Sequence, residues 1–261
     1  MDIMVLVKIV PDIERVRFDM EKGTVDRSSA ESEINPFDLN ALEAARRIKE
    51  NLGGSITTIS MGPQSMENVY KDVFARGADR AILLSDRKFA GADTLATSHT
   101  IATAIKKLKH IGLVLCGEKT TDGDTGQVGN EVAELLGIPS LYYVSELEIK
   151  ADGMYAVVDM DREKLVYRVG SPALLSVTKD VNVPRLPTLK EKLEARKKSV
   201  EIWSADVLGD SEERFGARGS PTRVSRTVVP KEEGRKGRIY RNADEGIDAL
   251  LDAFKEMAWA F

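Results

Sequence analysis

Residues 113–129 read LVLCGEKTTDGDTGQVG. Residues 111–116 form an apolar run of strand length, and Gly117 after it lets the backbone turn. Glu118 and Lys119 lead into Thr120, Thr121, Asp122, Gly123, Asp124, Thr125 and Gly126, a loop of small residues rich in hydroxyls. Gln127 and Val128 fall in a helical pattern predicted over residues 125–136 and closed by Gly137 and Pro139. Strand, glycine-rich loop and helix start in this order make a phosphate cradle. The first-turn amides point back at the loop, and the helix dipole favours an anion there. The charges of Asp122 and Asp124 oppose that reading. Asp124 is expected to cap the helix and Asp122 to accept a ribose hydroxyl. A capped loop holding no ligand is the plain alternative.

The same alternation extends towards the N-terminus. Residues 3–10 are a buried apolar run, 37–50 a helical pattern ending at Gly53-Gly54, and 55–61 a β-branched strand before Gly62-Pro63. Residues 64–76 read as a helix stopped by Gly77, 80–85 as a strand, and 93–108 as a long helix. Strands alternating with helices predict a Rossmann-like α/β fold with a parallel sheet covered on both faces. Ligands of such sheets sit beyond the carboxyl ends of the strands. After Pro139 the helices stop. Runs at 141–149, 154–159, 164–170 and 173–178, with Asp152-Gly153 as a hairpin turn, are expected to extend the sheet with antiparallel strands. The division expected is a nucleotide-binding domain over 1–184 and a partner-binding extension over 185–261. Within the latter, 189–198 is a short basic helix, 204–242 is polar, and 243–258 is an amphipathic helix.

Composition narrows the function classes. The chain has 261 residues, 42% hydrophobic and 31% charged, with net charge −4. That balance argues against nucleic-acid binding, which needs a basic surface. The single cysteine, Cys116, excludes an internal disulfide and a cysteine metal cluster, and two histidines offer no zinc spacing. The apolar start is too short to span a bilayer and lacks signal-peptide features, so a cytoplasmic protein without membrane insertion is expected. No catalytic triad or paired acid and base stands out. His99 and His110 read as structural, and Cys116 as an inert thiol in an apolar strand.

Two other segments share the strand-to-helix setting. Gly91, Ala92, Asp93 and Thr94 precede a helix that carries Thr97 on its first turn, with Asp93 or Thr94 at the cap. Asn35, Pro36, Phe37 and Asp38 open the 37–50 helix, where Pro36 fixes the turn and Asp38 is a cap candidate. Simple capping explains either segment alone. Two hydroxyl-rich helix starts after neighbouring strands suit one ligand large enough to reach both.

Taken together, VLVKIVPD (5–12), INPFDLNALEAA (34–45), ISMGP (59–63), RGADRA (76–81) and LCGEKTTDGDTGQVG (115–129) resemble the beta subunit of electron-transferring flavoproteins, with VVDMDREKLVYRVGSPALLSVT (157–178) a looser match. The resemblance spans essentially the whole chain. It implies a nucleotide-binding α/β domain and a C-terminal arm that wraps an alpha subunit. By position, the adenine-nucleotide pocket comprises Leu6, Asn35 to Asp38, Met61 and Gly117 to Val128. TDGDTGQVG and GADTLATS look like the electron-bifurcating branch, whose pocket holds FAD rather than the structural AMP of housekeeping members.

The implied activity follows the cofactor. NADH gives hydride to this FAD. One electron goes to the alpha-subunit FAD and on to an FAD-dependent dehydrogenase of acyl-CoA or hydroxy-acid type. The other goes to ferredoxin or flavodoxin. PTLKEKLEARKK (187–198) resembles the family's recognition loop for the dehydrogenase, with Leu189 as its anchor. The alternatives are a housekeeping carrier subunit with AMP, or a stand-alone nucleotide-binding regulator of the universal-stress type.

Overall fold

The computed structural model describes residues 1–12, 17–19, 24–26, 31–160, 162–223, 225 and 237–256. The strands are β1 (Asp2–Leu6), β2 (Ile9–Pro11), β3 (Arg17–Asp19), β4 (Thr24–Asp26), β5 (Ser32–Ile34), β6 (Ser55–Met61), β7 (Arg80–Leu84), β8 (Leu113–Gly117), β9 (Ser140–Lys150), β10 (Gly153–Asp159), β11 (Lys164–Val169), β12 (Ala173–Val177) and β13 (Glu201–Trp203). The helices are α1 (Pro36–Leu52), α2 (Glu67–Tyr70), α3 (Asp72–Ala75), α4 (Thr94–Lys107), α5 (Val128–Leu136), α6 (Leu189–Ala195), α7 (Ala205–Leu208), α8 (Gly216–Gly219) and α9 (Ala243–Glu256).

One sheet organises the first unit, Met1–Arg223, in the order β11-β10-β9-β12-β8-β1-β6-β7-β13. From β9 to β13 every neighbouring pair is parallel. The period of two along each strand divides the core. Ile3 and Val5 of β1 join Leu113 and Leu115 of β8 in a layer with Leu42 and Ile48 of α1. Met4, Leu6, Val114 and Cys116 face the other layer, with Ile101 and Ile105 of α4 and Val132 of α5. This is the mostly parallel α/β fold expected, with helices on both faces.

Several details differ from the expectations. The run 3–10 is two strands, because β2 leaves the main sheet and pairs with β5. The helix over 64–76 is instead a 3₁₀ turn and the two short helices α2 and α3. Residues 173–178 do not extend the sheet in antiparallel fashion. β12 is inserted between β8 and β9 and is parallel to both, so only β10 and β11 extend the sheet in antiparallel fashion, β10 on β9 and β11 on β10. Residues 185–223 belong to this same unit. β13 adds to the β7 edge, and Phe215 is fully buried against Phe89, with ring centroids 5.2 Å apart.

The second unit, Val224–Phe261, contains α9 among its described residues. Residues 257 and 258 of the amphipathic pattern lie outside them. Among the described residues no helix is long and apolar enough to cross a membrane, and no group of three acidic, histidine or cysteine side chains is placed to hold a metal ion.

Candidate functional site

Parallel neighbours end at one edge, so β1, β6 and β8 bring Leu6, Met61 and Gly117 to the carboxyl edge of the sheet. Leu6 is buried and Met61 half-buried. The start of α1 closes this edge from one side. Asp38 is not the cap, because the helix starts at Pro36 with Asn35 at the cap position, which places Asp38 within the first turn. Its buried carboxylate instead joins two strand ends: Lys8 N–H donates to Oδ2 at 2.8 Å and Gly117 N–H to Oδ1 at 3.0 Å. Burial pushes Asp38 up to about 7, against the pull of those amides, Asn35 and the Lys8 charge. Asn35, fully buried, donates from Nδ2 to the Lys119 carbonyl at 2.9 Å and accepts from Thr121 N–H at 3.3 Å. A Cβ on Gly117 would lie 2.6 Å from the Phe37 Cβ, so the close approach of strand end and helix requires glycine.

The loop itself lies open, with residues 121–125 exposed. Its carboxylates do not stand as bare charges. Asp122 pairs with Lys8 Nζ at 2.7 Å and Asp124 with Lys119 Nζ at 2.9 Å. Burial opposes ionisation of Asp122, but the Lys8 ammonium and the Thr120 hydroxyl hold it below the usual carboxylate range. Asp124 has φ 52° and does not cap the helix; its N–H instead closes a turn onto the Thr120 carbonyl at 2.9 Å. The helix also starts later than expected, at Val128, and Gln127 at its N-cap makes no side-chain cap bond. The first-turn amides therefore face the loop without a competing side-chain acceptor on the cap. On the far side, Gly129 lies so close to Cys116 Sγ that a Cβ would stand 2.7 Å from it. Burial pushes the Cys116 thiol up to about 12, as suits an inert thiol.

The second helix start is built differently. Asp93 caps α4, with Ala96 N–H donating to Oδ1 at 3.0 Å. Its other oxygen accepts from the Thr222 hydroxyl at 2.8 Å, and its N–H donates to Ser220 Oγ at 2.8 Å. Gly91 and Ala92 make the turn, with Gly91 at φ 71°. Thr94 Oγ1 donates to Glu131 Oε1 at 3.1 Å and Ser98 Oγ to Oε2 at 2.8 Å, which joins the start of α4 to α5. Thr97, half-buried, lies one turn in. Leu189 opens α6, a separate helix packed on α3, and is largely exposed.

Sequence reasoning assigned no partner to His99 and left Lys8, Glu131, Tyr142 and Tyr143 out of the site. His99 meets Asp210 Oδ2 at 2.8 Å. Its partner is 111 residues away, a pairing that helical spacing cannot reveal. The Tyr142 hydroxyl donates to the Gly126 carbonyl at 2.5 Å and so supports the loop from β9. A cleft of about 470 Å³ lies between α4 and residues 213–221, lined by Leu95, His99, Leu135 and Arg214 among others. It includes no loop residue. The loop forms an open rim at the sheet edge.

A mostly parallel sheet with a glycine-rich loop, an uncapped helix start and paired counter-charges at its carboxyl edge defines an α/β protein of the Rossmann-like class. Residues 22–208 match the electron transfer flavoprotein domain. The chain is 42% identical over 98% of its length to the electron transfer flavoprotein subunit beta of Clostridium acetobutylicum, which is covered over 98%. It is 43% identical to the subunit beta of Thermoanaerobacterium thermosaccharolyticum, with 97% of each chain covered. To the caffeyl-CoA reductase-Etf complex subunit CarD of Acetobacterium woodii it is 40% identical, with 98% of each covered. The chain belongs to the electron transfer flavoprotein family as a beta subunit.

Proposed function

We propose that this electron-transfer subunit holds FAD at the glycine-rich loop and serves the electron-bifurcating form of the family's chemistry. The observation that carries the reading is the pairing of Asp122 with Lys8 and of Asp124 with Lys119 beside the uncapped start of α5. Pairing removes the repulsion that two bare carboxylates would exert on a phosphate. The loop amides and the hydroxyls of Thr120, Thr121 and Thr125 then supply neutral donors. Leu6 and Met61 line the sheet edge, and Asn35 and Asp38 hold the loop to it. Gly91 to Thr94 and Thr97 extend the site along α4, whose link to α5 through Glu131 supports one ligand reaching both starts.

The chemistry supplied by bound FAD is hydride uptake from NADH and one-electron delivery to the alpha-subunit FAD and to ferredoxin or flavodoxin. The chain's own residues bind the phosphates, orient the ring and exclude water on the sheet side. Residues 185–261 serve as recognition loop and arm, with the arm on the alpha subunit and Leu189 docking an FAD-dependent dehydrogenase. The name of the Acetobacterium woodii relative sets that protein beside a caffeyl-CoA reductase, which supports an acyl-CoA-type partner over a hydroxy-acid one.

A second reading is a structural AMP in the same pocket. It is favoured by Asp93, whose carboxylate is already engaged by Ala96 and Thr222. Purification with the alpha subunit, followed by counting FAD and AMP and adding NADH, separates the two. Two FAD per heterodimer with rapid bleaching is expected. One FAD with one AMP rejects the bifurcating reading.

A further inference from the structure

Tyr143 has φ 55°, in the left-handed region that a bulky aromatic occupies only at a cost. Its side chain is 52% exposed, so burial does not offset that cost. Its place in the sheet is well determined. The next residue, Val144, pairs with Val177 of β12, and Thr178 N–H donates to the Val144 carbonyl at 3.0 Å. The Val177 carbonyl in turn accepts from Glu118 N–H at 3.0 Å. Tyr143 therefore stands at the same carboxyl edge as the glycine-rich loop, with only β12 between its strand and β8.

The kink at Tyr143 breaks the alternation of β9, and the register shifts on both sides of the strand. The Tyr142 hydroxyl reaches the loop at Gly126, while the Tyr143 ring meets the Tyr142 ring edge-on, with centroids 5.7 Å apart at 88°. A bulge that needs one left-handed residue is met at lower cost by glycine or asparagine. The ring is not needed for the kink, and it is too exposed to be a core residue.

We propose that Tyr143 is a ring-binding residue of the nucleotide site, placed to stack on the planar heteroaromatic ring of the ligand whose phosphates lie in the loop. This rests on the nucleotide reading of the loop above. Two rings share that chemistry, adenine and isoalloxazine, and AMP and FAD distinguish them as probes. An aromatic face gives sequence-tolerant stacking with either.

The test is equilibrium dialysis of the full chain, in complex with the alpha subunit, against AMP and against FAD for the wild type, Tyr143→Phe, Tyr143→Leu and Tyr143→Gly. Stacking on one aromatic side chain changes affinity by about tenfold or more. Tyr143→Leu and Tyr143→Gly are expected to weaken binding by about that factor, and Tyr143→Phe to retain it. Tyr143→Gly is expected at the same time to raise the thermal midpoint, since glycine relieves the left-handed strain. A stable variant that binds worse separates ring contact from loss of fold. Weakening for both probes assigns the adenine ring, and weakening for FAD alone assigns the isoalloxazine. If Tyr143→Leu and Tyr143→Gly bind both probes as the wild type does, the proposal is overturned while the loop reading stands. If the wild type binds neither probe, the loop reading fails and takes this proposal with it.

Discussion

Asp38 shows how much depends on one side chain at the sheet edge. Its carboxyl joins the end of β1 to the end of β8 and is fully desolvated. Its folded pKa, about 7, lies above the unfolded value of 3.8. Below the unfolded value both states hold the proton, and Asp38 sets no slope. Between the two values the unfolded state releases the proton and the folded state does not, so stability falls as pH rises. The loss approaches about 4 kcal/mol across that window, at about 1.4 kcal/mol per unit. Asp38→Asn removes the titration but turns an amide NH2 towards one of the two backbone N–H groups, at a cost of about 1–3 kcal/mol. Urea unfolding from pH 4.5 to 7.5 is expected to show the variant's stability flatter with pH than the wild type's. Parallel curves would refute this role. The lysine pairs make a second residue-scale prediction. Both are partly exposed, so Lys8→Ala or Lys119→Ala costs less than about 1 kcal/mol of stability. Each leaves a bare carboxylate beside the ligand phosphates, and nucleotide affinity is expected to drop about three- to tenfold at low salt and to recover at high salt. A deficit unchanged by salt would mean the lysines act by shape rather than charge.

Among the elements, the approach to α6 is held most heavily by charge. Arg185 forks onto Glu43 and Glu50 of α1, and Arg46 of α1 reaches Glu191 at 2.7 Å. Burial opposes ionisation of Glu43, but Arg185 and Arg47 together hold it below the usual range. A capping box closes Thr188 and Glu191 on each other. These bonds fix a backbone whose apolar side chains, Leu186 and Leu189, point into solvent. Arg185→Ala is expected to speed amide exchange across residues 183–195 while β1 and β8 stay protected. Equal acceleration everywhere would show a general loss of stability instead. The α4 start gives a contrasting case. Asp93→Ala removes both cap and clamp and is expected to cost about 1–2 kcal/mol, whereas Thr94→Val leaves the cap and should act mainly on nucleotide retention. Equal losses of stability in the two variants would reduce Thr94 to a structural residue. The elements were legible where period and punctuation agree, as in β1, β6, β8, α1 and α4. They were misread where long-range pairing decides. β12 is parallel because it slots between β8 and β9, and no local pattern carries that information. Asp38 and Asp124 look like caps because each sits near a helix start, but Asp38 is bound by strand ends distant in sequence, and Asp124 pairs within its own loop, with Lys119.

The whole molecule divides at Arg223, and its two parts differ in what they leave exposed. In the first unit the large apolar side chains lie mostly in two layers about the sheet. In the second, Ile247, Leu250, Leu251 and Phe254 are each about half exposed. They recur at spacings of three, four and seven on α9, a single apolar stripe opposite a charged face. Fully burying a side chain of this kind is worth about 1.5–3 kcal/mol, so four of them represent a large gross driving force towards another surface. The proposal that the arm belongs to the alpha subunit supplies that surface. The chain cut after Arg223 keeps the whole sheet and both core layers, and is expected to fold with a thermal midpoint close to that of the full chain. It should hold the alpha subunit more weakly by at least a hundredfold, since losing even half of the gross burial exceeds 2.7 kcal/mol. Leu251→Glu in the full chain is expected to weaken the same association without the deletion, by placing a charge inside the apolar stripe. The measurement is the dissociation constant of the heterodimer for the full chain, the truncated chain and the Leu251→Glu variant. If the truncated chain folds and binds the alpha subunit as tightly as the full chain, α9 has another partner, and the recognition surface must lie within the first unit.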